Sequence, residues 1–260
     1  MAILEWTTLI VCGVVLLVRV PDAIQGRNRM VFGILLLATL CSLLSVSGPY
    51  EAIDRVLGGR NVTNLIMRYL VFATILLVGL RITKGLTAVR GHRLIAGTTG
   101  RWALGLSCLA VAATFFLMDT RGSSAWLVAI ANSGRNAGLL QYYVAACHTY
   151  PAFVSLVLMP PLLATVRSRL PRLVRAGALL MFIGALSAVV SLPASLTPDE
   201  WALGERAVNY AAVLGYVLGF AVFWFSGLIA QPSRSPGTAL RRKSLRRNRL
   251  RWDVFRRNGG

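Results

Sequence analysis

Long apolar runs alternate with short polar intervals along the whole chain, and the runs predict its architecture. Seven of them fall at residues 3–20, 30–47, 63–82, 102–118, 139–166, 173–196 and 207–230. Each is near the length of about 20 residues that a helix needs to cross a hydrocarbon layer. Most are apolar all round, whereas a surface helix of a soluble bundle keeps one polar face. The pattern therefore predicts an all-α membrane protein, a seven-transmembrane-helix bundle. Residues 1–6 carry Glu5 as their only charge, and no small-x-small site precedes Arg19. The first run accordingly reads as a retained helix and not as a cleaved signal.

The polar intervals give the runs a direction. Lys and Arg of short loops gather on the cytoplasmic side of a membrane. Alternate intervals hold Arg19, Arg27 and Arg29, then Arg81, Lys84, Arg90, Arg93 and Arg101, then Arg167, Arg169, Arg172 and Arg175. The intervals between these hold most of the acids, among them Glu51, Asp54, Asp119, Asp199, Glu200 and Glu205. The expected topology has the N-terminus outside and the C-terminus cytoplasmic, which an odd number of crossings satisfies. Two parts follow: a transmembrane domain over 1–230, and a basic cytoplasmic tail over 231–260, expected to be disordered. The helix-stopping stretch Gln231-Pro232-Ser233-Arg234-Ser235-Pro236-Gly237 separates them.

The composition, 56% hydrophobic with a mean hydropathy of +0.64, fits a membrane-embedded chain. The net charge of +19 changes the picture only at the tail. There Arg241, Arg242, Lys243, Arg246 and Arg247 are expected to contact anionic lipid headgroups of the bilayer. Each such cation is worth on the order of 1 kcal/mol near an anionic leaflet. The apolar residues of the tail do not recur at helical spacing. A cytoplasmic partner is the alternative occupant of that surface. Nucleic acid is not expected, because the basic excess follows the loop bias. The expected location is a bacterial plasma membrane.

Polar residues inside the runs are the candidate site. Arg68 shares a helix face with Asn61 and Asn64; Gln141, His148 and Ser155 form one stripe, and Tyr143, Cys147 and Tyr150 the next. The seventh run opens with Asn209 and Tyr210, and Tyr216 follows two turns below Asn209. If runs three, five and seven meet, Arg68, Asn64, Gln141, Tyr143, His148, Tyr150, Asn209 and Tyr210 line one polar pocket. Ionisable groups at membrane depth are functional candidates by default, and this set suits an anionic or hydrogen-bonding ligand. The same residues also have a plainer use. Tyrosines line membrane interfaces, a long arginine snorkels to a headgroup, and a single histidine bonds a neighbouring helix.

Local signals add detail. Gly215-x-x-x-Gly219, and Gly177, Gly184, Ala188, Ser191 and Ser195 on one face, predict close helix packing. Pro151 and Pro160-Pro161 predict a kink or early end of the fifth helix. Asn61 or Thr63 is expected to cap the third helix. Residues 83–100 read as a flexible loop. Residues 119–138, with Trp126, read as an interfacial helix or re-entrant cap.

Several chemistries are excluded. The only lysines, Lys84 and Lys243, lie outside the runs, so no retinal Schiff base is expected. Only His148 is available within a run, which rules down a bis-histidine haem. No zinc-protease, serine-elbow or phosphate-loop motif is present. No acid lies deep in a run, which weighs against proton- or sodium-coupled transport. Cys12, Cys41, Cys108 and Cys147 form no C-x-x-C pair and read as small apolar residues. Catalytic residues, metal ligands and cofactors are not expected. The leading reading is a non-enzymatic membrane protein, a transporter or small-molecule binder. The alternative is a sensor or scaffold presenting a basic cytoplasmic surface to a partner.

One resemblance bears on topology. Arg19-x-Pro21, Arg27-x-Arg29, Ala52-Ile53-Asp54-Arg55-x-x-Gly58 and Asn61-x-x-Asn64-Leu65, with the tyrosine-rich fifth run, cover roughly the first 160 residues. In these the chain resembles a group of uncharacterised actinobacterial multi-pass integral membrane proteins, often labelled transporters. The resemblance implies the same helical topology. Those proteins typically continue into a soluble C-terminal region, where this chain has only a basic tail.

Overall fold

The computed structural model describes residues 2–26, 29–120, 136–197 and 202–229. Among the described residues the chain forms nine helices and no strand. They are α1 (Ala2–Ile24), α2 (Arg29–Ser45), α3 (Ser47–Val56), α4 (Val62–Gly85), α5 (Val89–Ala96), α6 (Thr98–Leu117), α7 (Ala137–Arg167), α8 (Arg172–Ala194) and α9 (Ala202–Ile229). The expected interfacial segment around Trp126, and the tail with Arg241, Arg242, Lys243, Arg246 and Arg247, lie outside the described residues.

Each apolar run of the sequence becomes one helix. Helix is the economical answer in apolar surroundings, because every backbone N–H and C=O is satisfied within the segment. Four described helices are long and apolar enough to cross a membrane: α4, α6, α7 and α8. A fifth crossing is gained if α2 and α3 count as one unit, although they meet at a bend of 88°. In α1 and α9 the qualifying apolar stretches, Cys12–Pro21 and Ala207–Phe223, are shorter. The described residues thus give four or five membrane-length helices against the seven expected. Apolar side chains also cover the outside of the bundle. Leu17 is 69% exposed, Leu109 65% and Phe116 73%. Such a continuous apolar exterior is a liability in water and is compatible with a multi-pass membrane protein.

Helix α7 is the hub. It packs against α4, α5, α6 and α8, while α1 reaches the bundle through α2, and α9 packs chiefly on α8. The core runs along α7 through Tyr143, Cys147, Tyr150, Val154, Leu158 and Leu162, against Phe72 of α4, Ile95 of α5, Val111 and Phe115 of α6, and Met181 of α8. Hydroxyls inside the helices are mostly satisfied locally. Thr39, Thr74, Thr114 and Thr165 each donate to the carbonyl four residues earlier at 2.8 Å.

The small-residue seam falls where the glycines predicted it. A Cβ built on Gly215 would lie 2.6 Å from the Cα of Gly184. One turn on, Gly219 abuts Gly177 and Met181. The backbones of α8 and α9 therefore touch, and dispersion and Cα–H contacts replace side-chain interdigitation.

Three local expectations are corrected. The early end is not found, because α7 continues through Pro151, Pro160 and Pro161 to Arg167. Packing against α4, α5, α6 and α8 keeps it helical where the prolines leave the carbonyls of Cys147, Leu156 and Val157 without an N–H donor from the following turn. Residues 83–100 are not a loose loop: they contain α5, whose Ile95 is 1% exposed. The turn from α5 to α6 needs glycine, because a Cβ on Gly100 would collide with the Ile95 carbonyl. At the start of α4 the cap comes from Asp54 and not from Asn61 or Thr63.

Gly215→Ala forces the α8–α9 seam apart and is expected to cost about 1–3 kcal/mol. Gly105→Ala, where nothing lies within 4 Å of the new Cβ, is expected to be neutral or stabilising by up to about 1 kcal/mol. Unfolding in detergent micelles measures both, and equal stability of the two variants would contradict the seam.

Candidate functional site

A buried polar cluster lies at the end of the bundle where α4 and α7 begin and α6 and α8 end. It is built from α3 upward. Tyr50 and Asp54 sit one turn apart on α3, and both are buried. The Asp54 carboxylate reaches the free N–H groups that open α4: Oδ2 accepts from the Asn61 N–H at 3.1 Å, and Oδ1 accepts from the Thr63 N–H at 3.3 Å. Asp54 therefore supplies the cap expected of Asn61 or Thr63. Neither Asn61 nor Thr63 makes a side-chain cap bond, and the Thr63 hydroxyl is buried without a partner. A carboxylate is better suited than a neutral cap, since it also meets the positive end of the helix dipole.

Asn61 is freed by this for a different task. It stands in the left-handed region at φ 59°, which asparagine tolerates better than most residues. Its Oδ1 accepts a short hydrogen bond from the Tyr50 hydroxyl, and its Nδ2 donates to the Thr120 carbonyl at 3.5 Å. Thr120 in turn donates from Oγ1 to the Arg60 carbonyl at 2.6 Å. Asn136, just before α7, donates to the Asp119 carbonyl at 3.0 Å. Residues far apart in sequence are thus tied into one end of the bundle.

The centre of the cluster joins α4 to α7. The Tyr143 hydroxyl donates to Asn64 Oδ1 at 2.6 Å, and both residues are fully buried. Arg68, one turn further along α4, has Tyr143 as a side-chain hydrogen-bond partner, with Cys147 and Tyr50 also close by. Its Nε is buried with no hydrogen-bond partner, and among the described residues no carboxylate stands among the groups acting on it. Asp54, the buried acid of this end, is already committed to the α4 backbone.

The candidate residues separate into groups. Arg68, Asn64 and Tyr143 come together. His148 lies within electrostatic range of Arg68, but its Nδ1 faces Ser191 Oγ of α8 at 3.2 Å. Gln141 turns to the Thr197 carbonyl at 3.5 Å. Tyr150 lies two turns along α7 from Tyr143, its ring 5.5 Å from that of Phe72 and stacked on Phe153, its hydroxyl buried without a partner. Asn209 and Tyr210 do not join the cluster through any hydrogen bond among the described residues, and Tyr210 is 69% exposed. The link of α9 to α7 is instead Tyr216, whose hydroxyl is 2.8 Å from Ser155 Oγ.

Asn61, expected to share the Arg68 face, joins the cluster from just before α4, and Tyr50, Asp54 and Thr120 complete it without having been singled out. Tyr50 and Asp54 had a legible signal, since a spacing of four places them on one face of a short helix. Among the described residues no group of His, Cys, Asp and Glu is placed to hold a metal ion, and all four cysteines are free. Compared with family models, with curated proteins and with solved structures, the chain matches none.

Removing the Asp54 carboxylate strips the α4 cap and leaves two buried N–H groups unsatisfied. Asp54→Ala is expected to lower stability by about 1–2 kcal/mol, and Asp54→Asn, which keeps one acceptor, by less. Thermal melting in detergent checks the order; an Asp54→Ala protein that melts with the wild type would contradict the cap.

Proposed function

We propose that the chain is a seven-span membrane protein, of transporter or small-molecule-binding type, that takes a small anionic organic ligand at the Arg68 cluster. The observation that carries this reading is the guanidinium of Arg68, held between α4 and α7 with its Nε unpartnered and no carboxylate beside it. A desolvated cation without a counter-ion is costly, and arginine offers a planar fork that matches carboxylate or phosphate. Tyr143, Tyr50 and Asn64 stand beside it as hydrogen-bonding groups that fix orientation. The seven-span count rests on α1 and α9, whose apolar stretches extend the four or five longer helices. The arginine-rich intervals favour an outside N-terminus, a cytoplasmic C-terminus and an outward-facing cluster. No catalytic role is assigned to any residue.

The test is a thermal-stability panel on the purified full chain in detergent, using small carboxylates and organic phosphates. A ligand at about 100 times its Kd stabilises a protein by roughly 2.7 kcal/mol. The expected result is a stabilising anion whose effect is lost in Arg68→Gln, is partly kept in Arg68→Lys, and is intact in Arg90→Gln, which lies on α5. No shift with any anion, or an unchanged shift in a folded Arg68→Gln protein, would overturn the proposal.

A further inference from the structure

The opposite end of the bundle carries a second feature that the Arg68 cluster does not use. A cavity of about 430 Å³ opens between α2 and α4 on one wall and α8 and α9 on the other. Its volume lies in the range of about 300–1,000 Å³ typical of small-molecule sites. The lining is apolar, with Ile34, Val78, Gly85, Met181 and Phe223 among its residues, and Arg81 is its only charged member. Arg81 is exposed, and among the described residues its side chain has neither a hydrogen bond nor an ion pair. Two further cations neighbour lining residues in the sequence. Lys84, also exposed, immediately precedes Gly85, and Arg29 opens α2 two residues before the lining Val31.

A free small anion would use the cations but leave the apolar chamber empty. A neutral hydrocarbon would fill the chamber and leave Arg81 without a counter-charge. An amphiphile with an apolar chain and an anionic head satisfies both. The cavity lies among helices whose outer surfaces are themselves apolar, so the surrounding bilayer supplies that molecule. We propose that this cavity is a binding site for one anionic phospholipid, its acyl chain between the α2–α4 and α8–α9 walls and its phosphate on Arg81. Because Val78, Arg81 and Gly85 belong to the helix that carries Arg68, an occupied cavity braces α4 at the end remote from the polar cluster. The inference rests on the membrane reading but not on the ligand assigned to Arg68.

The experiment is native mass spectrometry of the full chain in detergent, titrated with phosphatidylglycerol or with phosphatidylcholine of the same acyl length. Four proteins are compared: wild type, Arg81→Gln, Gly85→Leu and the control Arg90→Gln. Gly85 lines the cavity and has nothing within 4 Å of an added Cβ, so Gly85→Leu puts an apolar side chain on the cavity wall. Wild type and Arg90→Gln are expected to bind one phosphatidylglycerol in preference to phosphatidylcholine. Arg81→Gln is expected to weaken phosphatidylglycerol binding about fivefold, roughly 1 kcal/mol for one cation, with phosphatidylcholine binding unchanged. Gly85→Leu is expected to weaken both lipids. Equal binding of the two lipids to wild type, or the same losses in Arg90→Gln as in Arg81→Gln, would overturn the proposal. So would a wild-type dimer that Gly85→Leu converts to monomer, because a second copy would then be the occupant. A chain soluble without detergent would sink the membrane reading itself, and that outcome is distinct from loss of lipid selectivity.

Discussion

A polar group buried in apolar surroundings must find its partner inside the protein, and this constraint orders the whole bundle. The backbone meets it by forming helices. Most hydroxyls meet it by bonding the preceding turn. The groups that cannot do either are gathered where α3, α4 and α7 meet, in a chain from Asp54 through the α4 N-terminus to Asn64, Tyr143 and Arg68. That cluster fixes how α3 lies on α4 and how α4 lies on α7. Since α7 is the hub, the placement of α5, α6 and α8 depends on it too.

The bundle is assembled by two different means at its two sides. On the α8–α9 side the contact is backbone on backbone, made possible by Gly177, Gly184, Gly215 and Gly219. On the α3–α4–α7 side it is polar and directional. The first kind of contact depends only on shape and is insensitive to charge. The second depends on which atoms donate and accept, and it leaves one cation, Arg68, incompletely served. A site able to recognise an anion is more economically built on the second side than the first, because its donors are already held in place by the fold.

The sequence made much of this legible, for physical reasons that differ between elements. The helix bounds follow the apolar runs closely, because membrane-length hydrophobicity leaves the backbone little choice. The glycine seam was readable because small residues four apart have one main use in packed apolar helices. Asn64, Arg68 and Tyr143 were readable as candidates because polar residues within apolar runs stand out. The parts that were not readable lie in the short intervals. There, α3 and α5 carry mixed residues and are helical because of what they pack against. Asp54 reads as a loop acid until its position beneath α4 is known, and the α4 cap passes from Asn61 to a residue seven positions earlier. The continuation of α7 past Pro160 and Pro161 likewise follows from its neighbours and not from its own sequence.

The contact between Asn64 and Tyr143 is the most direct point at which to test the claim that polar recognition between α4 and α7 organises the bundle. A double-mutant cycle of Asn64→Ala and Tyr143→Phe, followed by unfolding in detergent, isolates it. The account predicts a coupling energy within the range of about 0.5–3 kcal/mol seen for residues in contact. Strictly additive losses would contradict it, since the two side chains would then be stabilising the protein independently.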